Sequence, residues 1–307
     1  MVAGRCSNIM PKIKLGVRNN KLTDIINPDV ELEQIVTGFK FTEGPIWHPV
    51  ENHLRFSDIM GNSIYQWSET DGLKDILPNS HLANGNTYDH QGRMLTCHHG
   101  TSRITRTEHD GSITVIASHY KSKQLNSPND VIVKSDGTIY FTDPMSGRSE
   151  LFGIPRESEL GYTGVFRVNP DGSKLTLLAN DFNLPNGLCF SPNEKQLFVN
   201  DTRRFHIKVF DMKKDGTLEN ERIWAETTGE GKGGPDGMKF DSAGTLCCTG
   251  PGGIYVFAPN ATCLGVIRIP EQAANFTWGD DDLKSLYITA TTSIYRVRVN
   301  IPGNKLF

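Results

Sequence analysis

The stretch LPNGLCFSPNEKQLFVND, residues 184–201, contains the pattern that the rest of the chain repeats. It begins with an Asn-Gly step, continues through a short apolar run and a polar turn cluster, and ends in a second apolar run that closes on an aspartate. Two apolar runs separated by Pro, Asn and charged residues are typical of a two-stranded antiparallel unit. The stretch therefore predicts a pair of strands with a polar residue at the start of the first.

Five further stretches share this pattern: EGPIWHPVENHLRFSD from residue 43, ANGNTYDHQGRMLTCHH from 83, SPNDVIVKSDGTIYFTD from 127, GPDGMKFDSAGTLCCTG from 234, and a weaker NFTWGDDDLKSLYIT from 275. The copies can be aligned on Gly44, Gly85, Asp130, Gly187, Gly237 and Thr277, which gives steps of 41, 45, 57, 50 and 40 residues. Strand-forming repeats of roughly 40–50 residues indicate propeller blades. We therefore expect an all-β fold, a six-bladed β-propeller of four-stranded antiparallel blades.

One strand is missing from the last copy. The other copies each carry four strand signals, whereas the last stops at SIYRVRV, residues 293–299. The unassigned ELEQIV, residues 31–36, resembles the missing strand, so this N-terminal strand is expected to close the ring and protect the edge of the final blade. No linker divides the chain, which predicts a single propeller domain over residues 29–307 after an irregular lead-in over residues 1–28.

Charge and hydropathy narrow the possible functions. A net charge of -3 gives no basic footprint for nucleic acid or an anionic membrane surface. No apolar run reaches the ~20 residues of a membrane span, and the first twenty residues lack a signal-peptide core. We expect a cytoplasmic protein, monomeric or weakly homo-oligomeric, with no nucleic-acid or membrane partner. Its six cysteines are interpreted as reduced core thiols.

Strand counting brings a set of polar residues to one end of the propeller. The strand starts supply Glu43, Asn84, Asn129, Asn186 and Asp236. Two carboxylates and three amides offer the oxygen ligands that suit a hard divalent cation such as calcium, magnesium or manganese. Alternatively, the Asn-Gly, Asn-Asp and Asp-Gly steps only supply turn conformations. This second interpretation explains the glycines better than it explains Glu43.

The strand exits at the same end supply further candidates. Successive residues of a strand point to opposite sides, so only one of His98 and His99 is expected to reach the mouth. Asp201 is either a partner of the cation ligands or a plain structural carboxylate. The long connection over residues 144–164 is expected to overhang the mouth as a lid or wall. We therefore regard Asn84, His99 and Asp201 as candidate substrate-binding residues.

Four motifs in this order, EGPIWHP, SPNDVIVKSDGTIYFTD, LPNGLCFSP and PDGMKFD, resemble those of the gluconolactonase, senescence-marker-protein and regucalcin-like family of six-bladed propellers. The similarity spans about residues 30–300 and is closer to the bacterial gluconolactonase branch. The resemblance implies a divalent metal held by Glu43, Asn186 and Asp236. It also implies a substrate contact by Asn129 and hydrolysis of a lactone ring, with Asp236 in acid/base work.

Two positions depart from the family patterns: Ser127 stands where the animal branch has an arginine, and His98 where the bacterial branch often has a glutamate. We expect a metal-dependent lactonase of carbohydrate metabolism that converts a gluconolactone-like sugar lactone, or a related lactone, to its hydroxy acid. The single divalent cation is expected to be calcium, with magnesium, manganese, zinc or iron as alternatives, and to polarise the ring carbonyl. The alternatives are a phosphotriesterase-like propeller hydrolase and a non-catalytic calcium-binding propeller.

Overall fold

Antiparallel strands account for nearly all the regular structure in the computed structural model, which describes residues 11–307. The N-terminal part contains β1 (Lys14–Val17), the short helix α1 (Leu22–Ile25) and β2 (Leu32–Thr37). Blade 1 contains β3 (Thr42–His48), β4 (His53–Asp58), β5 (Ser63–Ser68) and β6 (Gly72–Pro78). Blade 2 contains β7 (Ala83–Tyr88), β8 (Met94–His98), β9 (Arg103–Thr107) and β10 (Ile113–Ala117).

The remaining blades follow in chain order. A small hairpin, β11 (His119–Tyr120) and β12 (Lys123–Gln124), precedes blade 3. Blade 3 contains β13 (Val131–Val133), β14 (Ile139–Asp143), β15 (Gly164–Val168) and β16 (Thr176–Ala179), with a 3-10 turn over Ser146–Arg148. Blade 4 contains β17 (Pro185–Phe190), β18 (Gln196–Asp201), β19 (His206–Met212) and β20 (Leu218–Glu226). Blade 5 contains β21 (Met238–Phe240), β22 (Leu246–Gly250), β23 (Gly253–Phe257) and β24 (Cys263–Arg268). Blade 6 contains β25 (Ala273–Gly279), β26 (Ser285–Ala290) and β27 (Ser293–Arg298).

The first strands of the six blades form a closed ring. β3 contacts β7, β7 contacts β13, and the contacts continue through β17, β21 and β25 back to β3. β2 pairs with β27 as the fourth strand of blade 6, with Leu32 opposite Val297. The predicted six-bladed fold and its closure by an N-terminal strand are therefore confirmed.

The lead-in differs from the expectation wherever it is described. Residues 1–10 lie outside the described residues, but residues 11–28 are not irregular, because β1 pairs with β24 and adds a fifth strand to blade 5. The helix α1 follows, and its Leu22 is fully buried in the core shared by blades 5 and 6. Four residues of β1 are too few to give a clear alternating pattern, which is why the sequence did not reveal this strand.

The glycines of the repeat serve close packing between neighbouring blades. A Cβ atom on Gly44 would overlap the carbonyl oxygen of Asn84, and one on Gly187 would overlap that of Asp236. The polar residue before each glycine therefore stands at the ring's centre while the next blade packs directly against its neighbour. Gly44 also has a φ of 55°, a left-handed conformation that favours glycine, so backbone conformation contributes at that position as well.

The sixth copy was aligned two residues too late. Gly85 donates its backbone N–H to Asn129, and Gly237 makes the equivalent bond to Ala274. Ala274 is therefore the counterpart of the polar residues at the other strand starts, and Asn275, rather than Thr277, occupies the glycine position. Blade 6 contributes an alanine to the mouth where the other five blades contribute oxygen donors.

Five cysteines of the described chain are free, and four of them are buried, in agreement with reduced core thiols; Cys6 lies outside the described residues. Aromatic packing joins the last blade to the first, where Trp47 stacks on Tyr287 with ring centroids 5.2 Å apart. Within residues 11–307, no helix is long and apolar enough to cross a membrane.

Candidate active site

A cavity of about 130 Å³ lies at the end of the ring where the strand starts converge. It brings together six of the seven predicted site residues: Glu43, Asn84, His99, Asn129, Asn186 and Asp236. The other residues that line it are Phe41, Ile59, Ser146, Phe152, Leu184, Thr202 and Gln272. The seventh predicted residue, Asp201, does not line the cavity.

Glu43, which is buried, and Asp236, which is half-buried, form a pair of interacting carboxyl groups. Burial raises the pKa of Glu43 to about 7, and the charge of Asp130 adds to this effect. Burial also raises the pKa of Asp236 well above its ordinary value, with a further contribution from the neighbouring Glu43. Two carboxylates that share a site without a counter-charge cannot both ionise easily. The pair is therefore arranged for a positive charge between or beside its oxygens.

Hydrogen bonds fix the groups around this pair. The Nδ2 of Asn275 donates to Oε2 of Glu43 across 3.0 Å, and the same oxygen accepts the backbone N–H of Gly44. The Nδ2 of Asn186 donates to Oγ1 of Thr202 at 3.0 Å, and this hydroxyl donates to the carbonyl of Pro235. Because the amide nitrogen of Asn186 is used by Thr202, its oxygen is the atom left for a ligand.

His99, and not His98, faces the cavity. The Nδ1 of His99 lies 2.8 Å from the carbonyl oxygen of Phe152, and its Nε2 lies 3.0 Å from Nδ2 of Asn84. Burial lowers the pKa of His99 to about 4, so the imidazole is neutral. His98 instead lies inside blade 2, between the carbonyl of Ser80 and the hydroxyl of Thr105. The prediction that only one of the two reaches the mouth is confirmed.

Asp201 binds the backbone of its own blade. Its Oδ2 accepts the N–H of Asn183 at 2.6 Å, and its Oδ1 accepts those of Leu184 and Arg203, both at 3.1 Å. Asp58 and Asp143 hold their blades in the same way, each accepting two backbone N–H groups from the segment before the first strand. The carboxylate of Asp201 is thus fully used within the fold. Its expected substrate contact is corrected on this ground.

The connection over residues 144–164 forms one wall of the cavity. Ser146 and Phe152 line the cavity, and Phe152 packs edge-on against Phe41 with centroids 4.9 Å apart. The connection is anchored from below, because the buried guanidinium of Arg148 donates to the carbonyls of Leu125 and Asn126 at 2.7 and 3.1 Å. Of the two expectations, lid or wall, the connection fits a fixed wall built on blade 3. It is called the lid below.

Comparison with known proteins places these residues in a family context. Residues 41–292 match the family model described as SMP-30/Gluconolactonase/LRE-like region. The chain belongs to this family. It is 32% identical to a gluconolactonase of Zymomonas mobilis over 92% of this chain and 85% of that protein. It is 26% identical to a pentonolactonase of Haloferax volcanii over 82% of each chain. A gluconolactonase structure from Xanthomonas campestris superposes with a TM-score of 0.87 at 33% identity, over 94% of this chain and 97% of that one.

The donor set of this SMP-30/gluconolactonase-type chain suits a divalent cation by its charge. Three neighbouring carboxyl groups, Glu43, Asp130 and Asp236, influence one another, and Lys239 is the cation whose charge lowers the pKa of Asp130. If all three ionise, one ammonium leaves two negative charges uncompensated. A divalent cation would balance them. Residues 11–307 contain no cluster of three or more His, Cys, Asp or Glu side chains placed to hold a metal, so amide oxygens must complete any such set.

Several lining residues of the family site carry no strong sequence signal. Phe41, Ile59 and Leu184 stand beside strands in ordinary apolar positions, and Thr202 follows a strand exit. Asn275 was detectable, since a correct alignment of the sixth copy puts an amide where four other copies have glycine. Alignment of the sixth copy on Thr277 places Asn275 two residues before the glycine position instead.

Proposed function

We propose that this chain is a metal-dependent lactonase that hydrolyses a gluconolactone-like sugar lactone, or a related lactone, to the hydroxy acid. The observation that carries the proposal is the carboxyl pair Glu43 and Asp236, which shares one small cavity with Asn129 and Asn186 in a chain of this family. The relatives at 32% and 26% identity carry the names gluconolactonase and pentonolactonase. Their names support a cyclic ester as the substrate class.

Glu43, Asn186 and Asp236 are proposed to hold the cation, because they combine two carboxylates with an amide oxygen that has no other task. When a cation is bound, the chemistry it supplies is Lewis acidity at the lactone carbonyl and a positive charge that favours the ionised carboxylates. Calcium suits this oxygen-only set, and magnesium, manganese, zinc and iron are the alternatives to test.

Asp236 is proposed as the acid/base residue. It lines the cavity and is partly exposed to it, whereas Glu43 is 3% exposed and held by two N–H donors. Once ionised, its carboxylate can accept a proton from the attacking water and return it to the alkoxide that leaves when the ring ester opens. Asn129 is proposed to hold substrate oxygens beside it, since its amide lines the same cavity.

The test begins with metal analysis of protein purified without chelator. Hydrolysis of D-glucono-1,5-lactone is then followed by pH-stat, above the spontaneous rate, after chelation and after return of each candidate cation. The proposal expects activity that chelation removes and one or more cations restore. Activity unaffected by thorough chelation contradicts the metal dependence. Turnover of an organophosphate ester alone indicates the phosphotriesterase-like alternative, and cation binding without any turnover indicates the non-catalytic one.

A further inference from the structure

Asn84 presents a buried oxygen that no donor within residues 11–307 satisfies. The side chain lines the cavity and is only 3% exposed. Its nitrogen is bonded to His99, but its Oδ1 has no hydrogen-bond partner among residues 11–307. The hydroxyl of Ser146, which lines the same cavity, also lacks a partner in this part of the chain. Buried polar atoms are nearly always satisfied, so two unsatisfied ones in one cavity indicate a ligand with polar groups.

The orientation of the Asn84 amide is fixed by the chain. The carbonyl oxygen of Phe152 can only accept, so the Nδ1 of His99 that contacts it must carry the proton. The neutral ring then has a lone pair on Nε2, which accepts an N–H from Asn84. Rotating the amide by 180° would bring Oδ1 against that lone pair. The backbone of the lid therefore determines, through His99, that Asn84 offers an acceptor to the cavity.

Arg156 holds the backbone of the lid segment that contacts His99. Arg156 donates to the carbonyl of His99 at 2.9 Å and also to the hydroxyl of Ser102. A second Arg156 nitrogen donates to the carbonyl of Ile154, two residues beyond Phe152. Arg156 therefore binds the backbone on both sides of the contact between Phe152 and His99.

A lactone ring has only acceptors, its carbonyl and its ring oxygen. Neither can satisfy Asn84, which requires a donor. A hydroxyl is the simplest donor that a substituent on the ring of a sugar lactone can offer. We propose that Asn84 is a specificity-determining residue that accepts a hydrogen bond from a hydroxyl substituent of the lactone, with His99 and the Phe152 carbonyl as positioning groups. This inference rests on the proposed lactonase function and narrows its substrates to hydroxylated lactones.

The experiment compares wild type and Asn84→Ala on D-glucono-1,5-lactone and on δ-valerolactone, which has no hydroxyl. Cation binding is measured in parallel by calorimetry, with calcium as the probe. The variant is expected to lose about 10-fold or more in kcat/KM on the hydroxylated lactone, the scale of one buried hydrogen bond, and to keep its rate on δ-valerolactone within about twofold. For each lactone, kcat/KM of the variant is divided by that of the wild type. The different intrinsic reactivities of the two lactones cancel in these ratios.

Equal losses on both lactones would overturn the inference, as would a calcium affinity that falls about 10-fold, since Asn84 would then be a cation ligand. His99→Phe should reproduce the selective loss, and adding Asn84→Ala to it should cost little more, because both changes break one relay. Additive losses would speak against the relay.

The wild type alone supplies a second measurement if Asn84→Ala does not fold. Among lactones that each lack one hydroxyl, a single analogue should lose about 10-fold or more in kcat/KM, while the others change less. A uniform response across the series contradicts the inference without touching the lactonase proposal. Failure of wild type on every lactone, with every cation, would overturn both.

Discussion

The Nδ2 of Asn275 donates to Oε2 of Glu43 across 3.0 Å, which joins the inner strand of the last blade to that of the first. A contact at the other end of the Asn275 amide sets the direction of this bond. Lys239, which can only donate, places its Nζ 2.8 Å from Oδ1 of Asn275. The amide nitrogen must then face Glu43, so the closure of the ring and the orientation of a proposed cation ligand depend on the same side chain.

Asn275→Ala should therefore weaken cation binding without removing any proposed ligand. We expect a loss of about 10-fold to 100-fold in calcium affinity by calorimetry, the range found for groups that orient metal ligands. Thr277→Ala is the matched control, since this buried threonine lies on the same strand and is absent from the cavity wall. An Asn275→Ala affinity equal to that of the control would show that Gly44 alone orients Glu43.

The lid should control substrate choice rather than cation binding. Replacing residues 149–155 by a short glycine linker removes Phe152 and its contact with His99 but leaves Glu43, Asn186 and Asp236 in place. Relative kcat/KM values among lactones should change while bound metal stays at the wild-type level. Phe152→Ala is the milder companion, because it removes the ring packed on Phe41 and keeps the backbone carbonyl. Loss of metal in the linker variant would mean that the lid is structural.

The raised pKa values of Glu43 and Asp236 predict how stability depends on pH without a cation. In the unfolded chain these groups titrate near their ordinary values, whereas burial raises the pKa of Glu43 to about 7 and that of Asp236 well above its ordinary value. The native state therefore holds more protons than the unfolded state above pH ~4.5, and stability is lost as pH rises through about 7. The melting temperature of chelated protein should therefore fall as the pH rises from about 6.5 to 8.

Bound calcium should remove most of this fall, since it favours the ionised pair. The window above pH ~6.5 avoids His98 and His99, whose lowered pKa values of about 4 destabilise the protein only as pH falls below ~6.5. Burial also raises the pKa of Asp143 to about 7, but this residue lies outside the proposed cation site. Its effect on the melting temperature should therefore be the same with and without calcium. The calcium-dependent difference thus reports on Glu43 and Asp236 together with the neighbouring Asp130, whose pKa is also raised by burial. Parallel melting curves with and without calcium would contradict their assignment as ligands.

The repeat period accounts for what the sequence could predict of the site. Because five of the six copies begin an inner strand with a polar residue, Glu43, Asn129 and Asp236 had to meet at one end of the ring, although they are far apart in sequence. The role of Asp201 could not be predicted in this way, since it depends on backbone N–H groups of a loop. Nor could the choice between His98 and His99, which follows from the exact end of β8 and from a lid carbonyl.

The division of labour at the proposed cation site can be tested with three substitutions. Asn186→Ala removes one neutral oxygen, and Glu43→Gln removes charge while keeping an oxygen. Both should weaken cation affinity, and excess cation should partly restore their turnover. Asp236→Asn keeps an oxygen for the cation but cannot take a proton, so its turnover should fall by about 10²-fold or more, the scale of a lost general base.

Excess cation should not restore Asp236→Asn, and this is the decisive comparison. Each variant is titrated with calcium until turnover no longer rises, and kcat values are compared only at saturation, where differences in affinity no longer contribute. Thr202→Val serves as a further control, because it removes the hydroxyl that holds Asn186 and leaves every carboxylate intact. Excess cation should partly restore its turnover, as for Asn186→Ala.

If Asp236→Asn regains near-wild-type turnover at saturating cation, Asp236 is only a ligand. With Asp201 and His98 bound within the fold and His99 protonated on Nδ1 toward Phe152, the structure would then leave Glu43 as the carboxylate able to take the proton.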